Sequence, residues 1–193
     1  MSGHGHGHAP DHNDPNSKRI ALLISILALV LAFSETLGKG AQTQALSLNI
    51  EAANLWAFFQ GKTVRSTTVK TASEFAALDL ERTTDPKIKG AIEKQIAGWK
   101  KTVERYDTEP ETNEGRKELA ARAKASEMKR DRALAAYHHY ETASAAVQIA
   151  IVLASASIIT GMVALIWIAG ALGVVGIVFS AIGFFWPTAV HLF

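Results

Sequence analysis

From residue 142 to residue 193 the chain carries no Asp, Glu, Lys or Arg, an uncharged run of 52 positions. An α-helix rises 1.5 Å per residue, so about 20 apolar residues cross the hydrocarbon core of a bilayer. The run is therefore long enough for two crossings. Division by length places one over 144–169, centred on 145–168, and the other over 170–193, centred on 172–190, with Ala169, Gly170 and Ala171 as a very tight connection. Such a hairpin satisfies its backbone groups inside the helices, as hydrocarbon requires. Trp167 and Trp186 fall at interfacial positions, and Pro187 bends or ends the last helix. A third apolar run, 20–37, follows Ser17, Lys18 and Arg19. A positive flank also opens a signal peptide, but Ala32-Phe33-Ser34 is a poor cleavage pattern, so a retained anchor is expected.

Between the apolar runs the pattern changes to helix with mixed charge. No proline occurs from residue 16 to residue 85, and beyond Gly40 only Gly61 interrupts, which allows a helix over 41–83. Its apolar residues form two seams. The first holds Leu48, Ala52, Leu55, Phe59, Val69, Ala76 and Leu80 at heptad-like spacing, interrupted by Lys62, Ser66 and Ser73; the second holds Ile50, Ala53, Ala57, Val64, Phe75 and Leu78. Two seams imply more than one neighbour. Trp56 and Phe58 belong to neither, so 46–59 is also read as a segment lying on the membrane surface, bent there by Gly38 and Gly40.

Asp85 and Pro86 make a turn that starts a second helix, with Ile88, Ile92, Ile96, Trp99, Val103 and Tyr106 on one face. Residues 108–115, with Pro110 and three acids, form an exposed, protease-sensitive loop. From Arg116 neither Gly nor Pro appears until Gly161, so a helix runs unbroken into the second crossing, with Glu118 and Arg122 in the favourable i, i+4 order. The outgoing helix of 43 residues rises about 65 Å and the returning ones, 87–106 and 116–143, about 30 and 42 Å, so the legs nearly match. The expected fold is all-α: an integral membrane protein with three transmembrane helices, a long hairpin-like extramembrane region over 38–143, and a disordered His/Gly-rich tail over 1–19.

Charge excludes some functions. The net formal charge is only +2, and all basic residues except Lys18 and Arg19 lie between Lys39 and Arg132, where acids nearly match them. No one-sign patch for nucleic acid results. Without cysteine there is no disulfide, thiolate metal site or Cys nucleophile.

Candidate chemistry is sparse. His4, His6, His8 and His12 lie in the tail, whose imidazoles are candidates for weak zinc, copper or nickel binding; the bland reading is a solvated tail, and no cofactor is expected. His138 and Glu141 stand at i, i+3, sharing a helix face as two metal ligands would, although a metal needs more ligands than this pair and interfacial anchoring is the plainer reading. Glu35 ends the first apolar run and is a possible intramembrane carboxylate, against an interfacial one reaching water. Gly173, Gly176, Ser180 and Gly183, with Ala169, offer small residues for helix packing, within one chain or between copies. No nucleophile elbow, phosphate loop, zinc-protease helix or dinucleotide fingerprint is present, so no enzyme activity is expected.

The segments IEAANLWAFFQGKTVRSTTVKTASEF and HHYETASAAVQIAIVLASASIIT, with the closing GxxGxxxxxxGFF-like run, resemble the bacterial membrane family catalogued as domain of unknown function 4337. The resemblance covers most of the chain beyond Lys18 and implies the layout of spans; it assigns no catalytic or binding residue. The leading expectation is a membrane-anchored helical scaffold or interaction protein, forming a homo-oligomer or meeting a protein partner. The alternative is a small metal- or ion-handling membrane protein using the His tail, His138, Glu141 and Glu35; a conducting pore would need several copies. Positive charges near the membrane ends favour a cytoplasmic middle region in a bacterial inner membrane, although the immediate flanks of the first run argue the opposite.

Overall fold

The computed structural model describes residues 15–189, which form four helices: α1 (Pro15–Arg82), α2 (Pro86–Asp107), α3 (Arg116–Thr160) and α4 (Val163–Phe185). No strand occurs among the described residues. Helices α1, α3 and α4 are long and apolar enough to cross a membrane. By internal contacts the chain divides into an apolar unit, Met1–Gln44 with Arg132–Phe193, and a charged unit, Ala45–Asp131.

Helix α1 is continuous over 68 residues and corrects two expectations. Residues 16–19, assigned to the tail, are helical, and no break separates the apolar run 20–37 from residues 38–82. Pro15 opens the helix, where its missing N–H costs nothing. Gly38 does not interrupt the helix: a Cβ there would lie 3.2 Å from the Tyr140 Cβ, so the glycine lets α3 come close. The four tail histidines, His4, His6, His8 and His12, lie outside the described residues.

Helix α3 runs unbroken from the charged segment into the apolar one, as its lack of Gly and Pro predicts. The connection to α4 is another correction. It falls at Gly161 and Met162, not at 169–171. Gly161 has φ +71°, the left-handed conformation that ends helices and that glycine adopts without a Cβ penalty. The uncharged part of α3, residues 142–160, then rises about 28 Å and the 23 residues of α4 about 34 Å. Ala169 is fully buried inside α4.

The apolar unit is inverted relative to a water-soluble core. Its interior is dominated by small side chains, with Ala150, Ala154, Ala169 and Val147 fully buried beside Ile20 and Leu27. Its exterior carries the large ones: Ile159 is 87% exposed, and Leu22, Phe33, Val152 and Phe184 are exposed too. A soluble protein would not leave such a surface to water, whereas lipid-facing helices pack on small residues and turn large ones outward.

In the charged unit the two seams of α1 have different fates. Every position of the first seam is buried or half-buried, including the interrupting Lys62, Ser66 and Ser73. Leu55 packs with Leu119 and Ala123 of α3, joined by Trp56 and Phe59. Trp56 Nε1 donates to Glu127 Oε1 at 2.9 Å, so residues 46–59 are not a separate surface-lying segment. Every residue of the second seam is exposed. Asp85 caps α2 by accepting from the Lys87 N–H at 2.8 Å, with Pro86 as first helical residue. Ile92, Ile96, Trp99, Val103 and Tyr106 are half-buried, while Ile88 remains exposed.

Candidate functional site

A polar cleft of about 420 Å³ opens in the apolar unit between α1 and α3. Ser34, Glu35, Gly38, Lys39 and Gln42 of α1 face Tyr137, Tyr140, Glu141, Ser144, Ala145 and Gln148 of α3 across it. The α1 residues recur at helical spacing, and their counterparts on α3 do the same, so each helix gives one polar edge. Gln148 Nε2 donates to Glu35 Oε1 at 3.1 Å. One helical position away, Ser34 is buried and its hydroxyl lies 2.8 Å from that of Ser180 on α4. Glu35 thus has a polar partner on another apolar helix, a neutral amide that a search for basic residues overlooks.

The second carboxylate of the lining is Glu141 of α3. Tyr137 donates its hydroxyl to Glu141 Oε1 at 3.4 Å, and His138 Nδ1 lies 3.7 Å from Glu141 Oε2. The spacing does bring His138 and Glu141 together, as expected. Both are substantially exposed, and no group of three possible His, Cys, Asp or Glu ligands forms among the described residues.

His139 is buried in the apolar unit. Its Nε2 is 3.1 Å from the Pro187 carbonyl oxygen, which accepts when that nitrogen carries the proton; its ring stacks on Phe179 with centroids 6.1 Å apart, and Nδ1 is buried without a partner. Nothing in the spacing of the three-residue run His138-His139-Tyr140 distinguishes this imidazole from its neighbour.

Four small residues of α4, Gly173, Gly176, Ser180 and Gly183, make contacts within the chain. A Cβ on Gly173 would meet Leu27 of α1 at 2.6 Å, and one on Gly176 would meet Val147 of α3 at 2.3 Å. Gly183 lies against His139 and the Ala136 carbonyl. With Ser180 bonded to Ser34, the four expected packing residues join α4 to α1 and α3.

In the charged unit the polar contacts tie the 108–115 loop to α1 and α3. Lys62, 7% exposed in its side chain, donates to Glu109 Oε2 at 2.9 Å. This hydrogen bond and charge hold the Glu109 carboxyl below its ordinary range, against the opposing effect of partial burial. Arg116 pairs with Asp107, and the Glu109 N–H donates to Glu118 at 3.2 Å. The ends of the expected exposed loop are thereby pinned, leaving residues 110–114 exposed.

No curated protein and no solved structure matches this chain. The family described as Domain of unknown function (DUF4337) matches residues 16–186, which takes in α1 to α4 almost entirely. The order of helices and the stretches that carried the resemblance fall inside that match, and the chain belongs to this family.

Proposed function

We propose that the protein is a membrane-anchored helical scaffold that associates with further copies of itself through the second seam of α1. The observation that supports this reading is the full exposure of that seam: Ile50 53%, Val64 66%, Phe75 65% and Leu78 49%, with Ala53 and Ala57 also exposed. Ile50, Ala53, Ala57 and Val64 follow spacings of three, four and seven, the repeat that lets two helices wrap on each other. Between residues 46 and 68 the only charges are Glu51, Lys62 and Arg65, and Lys62 is already taken inside the unit. A charged partner would find little to pair with. A second copy needs no countercharge and, anchored in the same bilayer, presents its seam in the same orientation.

The chain has no cysteine, so single replacements report contacts directly. Ile50→Cys and Ala57→Cys are expected to form disulfide-linked dimers in membranes, and Leu55→Cys on the packed seam is not. Absence of crosslinks at positions 50, 57 and 64, with only monomer in native mass spectrometry from mild detergent, would overturn self-association.

A further inference from the structure

We infer that the cleft between α1 and α3 binds a small organic ammonium ion carrying one positive charge. The cleft and the exposed seam lie in different units, so either reading can fail alone.

Charge is the first reason. The lining contains two carboxylates, Glu35 and Glu141, and one ammonium, Lys39. No ion pair joins Lys39 to either carboxylate among the described residues. Glu35 receives a neutral amide and Glu141 a phenol, while His138 beside Glu141 adds charge only when protonated. One negative charge is therefore left over in the lining, the complement of a monovalent cation.

Depth makes that charge costly. Ser34, beside Glu35, is bonded to Ser180, six residues before Trp186. With Trp186 at the interface, Ser34 lies about 9 Å to the apolar side of the indole, and the exposed Glu35, one residue further along α1, about 7.5 Å. A carboxylate at that level needs a countercharge, and an ammonium entering the cleft provides one.

Size and lining select the kind of cation. A volume of about 420 Å³ is that of a small-molecule site. A bare metal ion would need converging ligands, and no three-ligand group forms among the described residues. Tyr137 and Tyr140 line the cleft, and aromatic faces attract alkylammonium groups.

The test uses the full-length protein in lipid nanodiscs and measures equilibrium binding of choline against dimethylbutanol, the uncharged alcohol in which carbon replaces the ammonium nitrogen. We expect saturable binding of choline, with the alcohol at least about tenfold weaker, since a tenfold change is about 1.4 kcal/mol, within the range of a desolvated charge contact. Glu35→Gln keeps the shape and the hydrogen bond to Gln148, and should weaken choline by a similar factor. Ser144→Leu, which fills the cleft, should remove binding. Equal binding of choline and the alcohol would reveal an apolar hollow and overturn the inference, as would unchanged choline affinity in both variants. Lack of saturable choline binding by the unaltered protein also overturns it, and that comparison requires no mutant to fold.

Discussion

Gly183 and His139 touch where α4 crosses α3. A Cβ on the glycine would sit 3.0 Å from the histidine Cβ and 3.3 Å from the Ala136 carbonyl oxygen. The second atom is backbone and cannot rotate away. Gly183→Leu should therefore destabilise the apolar unit by about 1–3 kcal/mol through overpacking. Thermal melting in detergent checks this, with Gly61→Ala as the opposite case. Gly61 is helical with nothing within 4 Å of an added Cβ, so alanine there should stabilise by about 0.4–1 kcal/mol.

The pair Lys62 and Glu109 predicts a pH signature. The carboxyl is held below its ordinary value of 4.5, so the folded state binds the proton less readily than the unfolded state. The resulting stabilisation is complete above pH 4.5 and disappears as the pH falls through the lower folded value. Glu109→Gln should melt below the unaltered protein at pH 7, and the difference should shrink as the buffer is taken below pH 4.5. A gap that widens on acidification would contradict the sign.

Topology can be read with single cysteines at Ser2 and Thr112. A cytoplasmic charged unit leaves position 112 protected from an impermeant thiol reagent in intact cells. Labelling at 112 with protection at position 2 would reverse the assignment.

The His-rich tail is expected to be dispensable for folding. A variant beginning at Asn16 should melt within about 2 °C of the full-length chain, with or without zinc, because a loose metal site stabilises little. A zinc-dependent rise in the full-length protein that truncation removes would make the tail part of a structured site.

Long-range pattern was the legible part of this chain. The absence of charge after Thr142, the unbroken helix from Arg116 and the Asp85-Pro86 start all follow from composition and spacing, and the structure has them. Local exceptions were not legible. Gly161 ends α3 through a positive φ, yet Thr160 is the one polar neighbour it has in an otherwise apolar stretch, too weak a turn signal to outweigh a division by length. Gly38 reads as a breaker in one dimension and serves close approach in three. The seams could be counted from spacing, but which one is covered depends on where Leu119 and Ala123 pack. The Glu35 to Gln148 contact spans 113 positions between two apolar runs, and periodicity within either run carries no sign of it.

The two-residue connection between α3 and α4 has a consequence for biosynthesis. Gly161 and Met162 leave no slack for either helix to settle in the bilayer alone while the other waits in water. Insertion of the two helices as a pair is the expected outcome. Lengthening this link with a few glycines and serines would uncouple the two steps, and the lone α3 segment would become visible to membrane quality-control proteases through its uncovered contacts at Ala143 and Val147.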